Sequence, residues 1–302
     1  SSGSAGKSSV RLAEASAARE ASAADFLPHP ARISGRASPH RQKILRMVLL
    51  SQKHSVISIR FYRSFHPPFF SDHKFVKFLV TGGAGFIGSH LVRRLSSRAP
   101  VIVLDDLSSG KKENLAGIPC TLLQGSILDP ACTGVSHVFH LAALVSVPES
   151  ILHPDRCREI NVEGTQRILA AAAVAGARRL VLASSCAVYG DEPTMPKTET
   201  FPTAPASPYA ESKLAGEKLC AQSKLPAVAL RFFNVYGPRQ DPRGPYAAAV
   251  PRFLEAARAG IPLTIFGDGH QTRDFVYVDD VTAALEHTAL TPAMSGVYNV
   301  AS

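Results

Sequence analysis

A glycine-rich segment between a strand-like run and a helix-like pattern constrains the fold of this chain most strongly. An apolar run over 75–80 is followed by TGGAGFIG (81–88) and then by a helical pattern over 89–95. The glycines recur every third residue, and such a turn lets backbone N–H groups at a helix N-terminus approach a pyrophosphate. The segment predicts a dinucleotide-binding strand–turn–helix unit. A glycine turn without a ligand remains the alternative.

An acidic residue at the end of the next predicted strand supports dinucleotide binding. Asp105 follows the apolar run 101–104 and stands 17 residues after the last loop glycine. A carboxylate there hydrogen-bonds the adenosine ribose hydroxyls and repels a 2′-phosphate, which favours NAD over NADP. A turn explains the neighbouring Asp106. Lys111 and Lys112 follow closely, and their positive charges would tolerate the 2′-phosphate of NADP.

Strand-like and helix-like patterns alternate from residue 75 onward. Strands are predicted at 75–81, 100–105, 120–124, 136–141, 178–184 and 226–232, and helices at 86–97, 156–176, 208–223, 247–259 and 279–290. This alternation indicates an α/β fold, a Rossmann-like doubly wound parallel sheet with helices on both faces. We expect a dinucleotide-binding core over about 75–233 and a smaller substrate-binding lobe over about 234–302.

Composition and charge narrow the possible partners. The 302 residues carry a net charge of +9, but residues 76–302 are nearly neutral, which predicts no nucleic-acid surface. No apolar run reaches the roughly 18–20 residues that span a bilayer, so no membrane contact is expected. The five cysteines are scattered and form no C-x-x-C pair, which predicts reduced thiols and no metal site.

The basic excess lies in residues 1–74, which are rich in Ser, Ala and Arg and are predicted to form a disordered extension. Its Arg- and Ser-rich composition fits a targeting segment, and translated upstream sequence or a cloning remnant fits equally. A cytoplasmic location is expected for the folded part.

A tyrosine and a lysine one helical turn apart form a candidate catalytic pair. Ser207 and Pro208 are favourable at a helix start, and they place Tyr209 and Lys213 on one helix face. A nearby ammonium and a positively charged nicotinamide would favour the tyrosinate, which can then act as a base. An ordinary amphipathic helix start is the alternative.

A serine pair ends the apolar strand predicted at 178–184. Because carboxyl ends of parallel strands face the ligand crevice, a hydroxyl there can bridge a substrate oxygen and the tyrosine. Ser185 is the preferred candidate and Ser184 its neighbour. Strand-terminal serines also cap helices, and a capping role is the alternative.

Taken together, these motifs resemble the extended short-chain dehydrogenase/reductase family, and within it the NAD-dependent nucleotide-sugar epimerases of the UDP-glucose 4-epimerase type. The resemblance runs from about Lys77 to Ser302. It is carried by TGGAGFIGSHL (81–91), Asp105, HLAAL (140–144), NVEGT (161–165), SSCAVYG (184–190), PYAESK (208–213), RFFNVYGPRQDP (231–242) and TRDFVYVDD (272–280).

The resemblance implies a role for each matching residue. The implied catalytic residues are Ser185, Tyr209 and Lys213. The implied NAD-binding residues are Gly82, Gly85, Phe86, Ile87, Gly88, Asp105, Ser126, Ile127, Leu141, Ala142, Ala143, Asn161, Ser184, Tyr209, Lys213 and Phe232. The implied residues for a UDP-sugar are Ser146, Val147, Ser185, Asn234, Thr264, Phe266 and Arg273. Among these, Arg273 has clear chemistry, because a guanidinium fork suits diphosphate oxygens. Its alternative is a salt bridge with Asp268 or Asp274.

The residues after Ser185 discriminate among the reactions that the resemblance allows. Related dehydratases place an Asp-Glu pair there and related decarboxylases a Glu, whereas this chain has Cys186 and Ala187. Elimination is therefore disfavoured, and C4 epimerisation of a UDP-hexose is expected. UDP-glucuronate epimerisation, a 4-keto-sugar reductase and a non-catalytic NAD-binding protein are the alternatives.

The chain departs from the resembled pattern in two places. Gly125-Ser126 stands where a Gly-Asp pair often touches adenine, so Ser126 and the Ile127 backbone take that role. The sequence ends at Ser302, before the C-terminal part expected of such enzymes, so the substrate lobe is expected to be incomplete. The resemblance also implies a homodimer formed through the helices near 156–176 and 208–223.

Overall fold

The fold is built on one parallel sheet of seven strands. The structure is a computed structural model that describes residues 76–130, 132–242, 248–265 and 267–302. The strands of the sheet are β1 (Phe78–Thr81), β2 (Val101–Asp105), β3 (Thr121–Gln124), β4 (His137–His140), β5 (Arg179–Ser185), β6 (Ala227–Phe232) and β9 (Gly296–Val300). Their order is β3-β2-β1-β4-β5-β6-β9, and every pairing is parallel.

Helices cover both faces of the sheet. The helices are α1 (Phe86–Ser96), α2 (Val147–Leu152), α3 (Pro154–Arg158), α4 (Gly164–Val174), α5 (Pro208–Gln222), α6 (Ala249–Ala259) and α7 (Val278–Leu290), with a π-helical turn at Glu159–Glu163 and 3-10 turns at Lys112–Leu115 and Cys186–Tyr189. Strand order reverses between β1 and β4, so the carboxyl ends of these two strands border the crevice where such sheets bind ligands. The predicted Rossmann-like fold is confirmed.

Alternate side chains of the strands enter two separate cores. Phe78 and Val80 of β1 pack with α1 and α7 on one face, whereas Leu79 between them packs with α4 on the other. This is the two-residue period of a strand buried on both faces. The edge strand β3 is largely exposed, which its position in the sheet explains.

A small second sheet follows the sixth strand. Strand β7 (Asn234–Tyr236) pairs in parallel with β8 (Phe275–Tyr277), and α6 lies between them in the chain. The sequence predicted a smaller lobe mixed with late sheet strands in this region, but it did not give the bounds of β7, β8 or β9. The division into a core and a lobe at about residue 234 remains a prediction, and so does the disorder of residues 1–74, which lie outside the described residues.

The single helix predicted over 156–176 is wrong in detail. The chain forms α3, the π-helical turn and α4 in succession. The Thr165 hydroxyl donates to the Asn161 carbonyl at 2.6 Å. Gly164 also approaches Ile127 so closely that a Cβ would lie 2.6 Å from its side chain. Tertiary packing, which helical periodicity does not encode, accounts for the irregular turn.

Within the described ranges, no helix is long and apolar enough to cross a membrane. The same ranges hold no group of three or more His, Cys, Asp or Glu side chains placed to share a metal ion.

Candidate active site

The glycine-rich loop joins β1 to α1 at the crevice. Gly82 has a positive φ of 70°, and a Cβ there would lie 2.8 Å from the Ala142 backbone nitrogen after β4. A Cβ at Gly88 would lie 2.1 Å from the Gly82 carbonyl oxygen. Gly85 is the N-cap of α1 and supplies no side-chain hydrogen bond. The loop is therefore a close-packed cradle whose helix N-terminus can hold an anion through N–H groups.

Asp105 lies beside this loop and is hydrogen-bonded to it. Its Oδ2 accepts a hydrogen bond from the Ala84 backbone nitrogen at 2.8 Å, and its Oδ1 accepts one from Leu107 at 2.9 Å. The Ala84 carbonyl in turn accepts from the Asn114 side chain at 2.8 Å. The carboxylate thus stands beside the loop at the end of β2, as its sequence position predicted.

The three predicted catalytic residues come together above β5. Ser207 caps α5 by accepting from the Ala210 nitrogen at 3.2 Å, and the helix carries Tyr209 and Lys213 on one face. Tyr209 lies close enough to Ser185, at the end of β5, for that side chain to lower the pKa of the phenol. The Lys213 Nζ lies 5.7 Å from the Tyr209 ring centroid and donates to the Ala183 carbonyl at 2.9 Å.

Burial governs the proton affinities of this group. Burial raises the pKa of Tyr209 to about 12, and the nearby Ser185 side chain opposes that rise. Burial lowers the pKa of Lys213 to about 8. The effect of the ammonium on Tyr209, expected from the sequence, does not outweigh burial, so the protein groups by themselves keep Tyr209 a neutral phenol at pH 7.

A buried ion pair, which the sequence analysis missed, ties the catalytic helix to the sheet. Glu217 of α5 accepts hydrogen bonds from Nε of Arg231 at 2.9 Å and from Nη2 of Arg231 at 2.7 Å. Both side chains are only 5% exposed. Ser184 donates to the same carboxylate at 2.5 Å, so its hydroxyl faces α5. Arg231 also donates to the Tyr189 hydroxyl at 2.8 Å. The sequence feature that could have revealed this ion pair is the charged residue Arg231 within the otherwise apolar strand 227–232.

A second buried polar network links β1, β4 and the π-helical turn. His140 contacts the Thr81 hydroxyl through Nδ1 at 2.7 Å and the Thr165 hydroxyl through Nε2 at 3.0 Å. Because Thr165 donates its proton to the Asn161 carbonyl, His140 donates from Nε2 and accepts at Nδ1. Burial lowers the pKa of His140 to about 3, with a contribution from the Lys213 charge. The ring is therefore neutral.

Asn161 connects this network to the catalytic helix. Its side chain accepts from the Leu144 nitrogen at 2.7 Å and donates to the Leu144 carbonyl at 2.9 Å. It also donates to the Ser212 hydroxyl at 2.9 Å, and Ser212 donates to the Tyr209 carbonyl at 2.7 Å. In this structure Asn161 holds the segment after β4 against α5, and a direct cofactor contact remains a prediction.

Two of the predicted substrate-binding residues line one cleft in the small lobe. Asn234 and Arg273 border it, together with the β7–β8 sheet and the start of α6. Asn234 donates its side-chain amide to the Asp274 carbonyl at 2.9 Å. Arg273 is exposed and donates to the Thr272 carbonyl at 2.7 Å, and in the described part of the chain it pairs with neither Asp268 nor Asp274.

The remaining predicted residues occupy varied positions. Ser146 caps α2 by accepting from the Glu149 nitrogen at 3.2 Å, and Val147 begins that helix. Ser126 accepts from the Leu128 nitrogen at 3.1 Å. Thr264 is exposed and is not part of the cleft lining, while Phe266 lies outside the described residues. Buried or half-buried positions are taken by Ile127, Leu141, Ala142, Ala143 and Phe232.

The fold and the site define a dinucleotide-dependent α/β enzyme with a Ser-Tyr-Lys constellation. Residues 78–301 match the NAD dependent epimerase/dehydratase family, and the chain belongs to that family. Its cofactor is accordingly NAD.

Individual relatives agree on the family and differ in the reaction. A UDP-glucose 4-epimerase of Mycolicibacterium smegmatis is 45% identical over 222 residues, which cover 68% of this chain and 71% of that protein. A UDP-N-acetyl-alpha-D-glucosaminuronate decarboxylase of Bacillus cytotoxicus is 39% identical over 68% of each chain. The solved UDP-N-acetylglucosamine 4-epimerase of Methanobrevibacter ruminantium M1, in complex with UDP-N-acetylmuramic acid, is 40% identical, with a TM-score of 0.72 and coverage of 75% of this chain and 76% of that one.

The described residues fit this cofactor. The glycines at 82 and 88 leave no room for a side chain, which suits a backbone cradle for the pyrophosphate. The Asp105 carboxylate lies beside the loop at the end of β2, and its contact with the ribose hydroxyls stays a prediction. The N-terminus of α1 supplies donors of the right polarity for the phosphates.

Proposed function

We propose that this protein is a nucleotide-sugar 4-epimerase that inverts C4 of a UDP-hexose through a transient 4-keto intermediate. The observation that carries the proposal is the grouping of Tyr209 with Lys213, 5.7 Å from its ring, and with Ser185 at the end of β5, followed by a cysteine and an alanine in place of acids. This set can remove and return a proton at one oxygen. Elimination and decarboxylation need a further acid or base near the sugar.

Tyr209 is the proton acceptor for the C4 hydroxyl in this proposal. Bound NAD, which the glycine-rich loop and Asp105 would hold, would supply an acceptor and donor for the C4 hydride and a positive ring that favours the tyrosinate over the neutral phenol. Ser185 hydrogen-bonds the reacting oxygen and stabilises the negative charge as it shifts between that oxygen and the tyrosine. The Lys213 ammonium lies close enough to stabilise the tyrosinate once it forms.

Cys186 does not supply the missing acid or base. Burial raises the pKa of its thiol to about 11, with a further contribution from the Asp274 carboxylate. The thiol is therefore protonated at neutral pH and is a poor proton donor to a sugar oxygen. Ala187 has no ionisable group. This pair supports epimerisation over the dehydratase and decarboxylase reactions.

The small lobe supports a diphosphate-linked substrate. Arg273 presents an exposed guanidinium at the cleft that Asn234 also lines. Such a fork suits phosphate oxygens and would hold a keto intermediate by its tether while the sugar turns. The sugar is proposed to be glucose/galactose or N-acetylglucosamine/N-acetylgalactosamine, with glucuronate as the alternative.

The proposal is tested by incubating the protein and NAD separately with UDP-glucose, UDP-N-acetylglucosamine and UDP-glucuronate, and separating the products by anion exchange. A C4 epimer without stoichiometric NADH supports an epimerase and names its sugar. Stoichiometric cofactor consumption would indicate a reductase, and loss of water or carbon dioxide from the sugar would contradict the proposal.

A further inference from the structure

The segment 237–242, which follows β7, crosses from the small lobe to the dinucleotide-binding elements. Gly237 lies so close to α7 that a Cβ would come within 2.5 Å of the Val278 side chain. The Pro238 carbonyl accepts a hydrogen bond from His90 Nε2 of α1 at 2.9 Å. Asp241 Oδ2 pairs with Lys111 Nζ at 2.9 Å. The segment is thus tied to α1, α7 and the loop after β2.

Lys111 stands directly against the glycine-rich loop. Its backbone nitrogen donates to the Ala84 carbonyl at 3.0 Å, and the Ala84 nitrogen donates to Asp105 at 2.8 Å. The carboxylate of Asp241 is therefore one lysine side chain away from the loop that cradles the pyrophosphate. The ion pair joins residues 130 positions apart in the sequence, one in the loop after β2 and one in the segment after β7.

The backbone conformation of Arg239 indicates that contacts with neighbouring elements hold the segment in this path at an energetic cost. It has a positive φ of 69°, which a non-glycine residue adopts at an energetic cost. One of its guanidinium nitrogens is shielded from water and has no hydrogen-bond partner among the described residues. Fixed contacts on both sides of Arg239 explain how this conformation persists.

We propose that residues 237–242 form a strap that retains bound NAD, and that the Lys111–Asp241 ion pair holds the strap closed. Lys111 and Asp241 are then cofactor-retention residues. The strap must part from Lys111 before the adenosine and pyrophosphate half of the dinucleotide leaves. The inference rests on NAD binding and not on the choice of sugar or reaction.

The release rate of the dinucleotide tests the strap without any sugar substrate. The full chain is loaded with NADH, mixed rapidly with excess NAD, and followed by the loss of bound-NADH fluorescence. Because an exposed ion pair is weak, we expect Asp241→Asn and Lys111→Gln each to release NADH about two- to fivefold faster than the unchanged protein. The double variant is expected to release NADH at the rate of Asp241→Asn alone, since Asp241→Asn already removes the ion pair that Lys111→Gln would remove.

A matched control is the exposed Glu149–Arg156 pair at 3.5 Å, whose partners are about as accessible as Lys111 and Asp241. Arg156→Gln is expected to leave the release rate unchanged. Higher ionic strength is expected to reduce the difference in NADH release rate between the unchanged protein and Asp241→Asn, because salt screens exposed charges.

Two results would overturn the strap. Equal release rates in Asp241→Asn and the unchanged protein would show that the ion pair does not retain the dinucleotide. Slower release in Asp241→Asn together with faster release in Lys111→Gln would show that Lys111 binds a phosphate directly and that Asp241 competes with it.

Discussion

At the residue scale, Tyr209 combines a buried phenol with a reaction that needs its ionised form. Burial raises its pKa to about 12, and the nearby Ser185 side chain opposes that rise. The sequence predicted the Ser185, Tyr209 and Lys213 set because helix spacing and a strand end are local features. It did not predict the strength of desolvation, which depends on packing from distant segments.

Replacement of Tyr209 by Phe tests the proposed proton transfer. We expect Tyr209→Phe to lower the turnover number about 10²–10⁴-fold, the range of a lost general base. The free energy of unfolding is expected to change little, because the ring remains. Tyr298→Phe, in a half-buried tyrosine on β9 that packs against the core, serves as the control. Equal turnover in Tyr209→Phe and the unchanged protein would exclude the proposed role.

His140 predicts a dependence of stability on acid pH. Its pKa is lowered from 6.5 to about 3 by burial, so the folded state binds fewer protons than the unfolded state between these values. Stability is therefore fully present above pH 6.5 and is lost as pH falls toward 3. We expect about 1.5 kcal/mol of this loss between pH 6.5 and 5, since the slope rises from half to nearly all of about 1.4 kcal/mol per pH unit over that range.

Urea unfolding of His140→Gln at both pH values measures this contribution. The variant is expected to lose less stability than the unchanged protein between pH 6.5 and 5, whereas a change in the exposed His153 should leave the pH dependence as it was. The same pH dependence in all three proteins would refute the assignment.

At the element scale, the first six strands of the main sheet, β1 to β6, were predicted within a few residues because apolar runs and turn signals are local. The π-helical turn was not, since it reflects contacts of Asn161, Gly164 and Thr165 with distant segments. The Glu217–Arg231 pair was missed for the same reason: parallel register places Arg231 beside Ser184, and no local pattern encodes that register.

Alanine substitutions at two glycines with the same backbone conformation distinguish the cost of backbone strain from the cost of a steric clash. Gly82 and Gly117 have φ of 70° and 71°, but only at Gly82 would an added Cβ meet neighbouring backbone within 4 Å. Gly117→Ala is expected to cost about 1 kcal/mol and to leave NAD binding intact. Gly82→Ala is expected to cost more and to abolish NAD binding, measured by denaturant unfolding and by calorimetric titration with NAD. Equal effects of the two changes would contradict the close-packed loop.

The buried ion pair between α5 and β6 predicts a large loss of stability. Arg231→Met leaves Glu217 charged and unpaired, with 5% of its side chain exposed, and is expected to cost about 3–5 kcal/mol of unfolding free energy. Arg252→Met in the exposed part of α6 is the control, with an expected change within about 0.5 kcal/mol. A loss below about 1 kcal/mol for Arg231→Met would show that Glu217 finds another partner or a proton.

At the scale of the whole molecule, alternating strands and helices predicted a doubly wound sheet, and the strand order confirms it. The position of β9 beside β6 was not predictable, because a five-residue strand after a long excursion carries no local sign of its partner. Charge acts at this scale as well: the nearly neutral part of the chain from residue 76 onward contains the candidate site, whereas the basic excess precedes it.

The central claim is that this site epimerises C4 of a UDP-hexose with NAD recycled in each turnover. The most direct measurement is the product of UDP-glucose and of UDP-N-acetylglucosamine in deuterated water, resolved by anion exchange and mass. We expect the C4 epimer without incorporated deuterium and without NADH accumulation, because the hydride returns to the carbon that it left. A dehydrated product, a product labelled with deuterium on carbon, or one NADH per turnover would contradict the account.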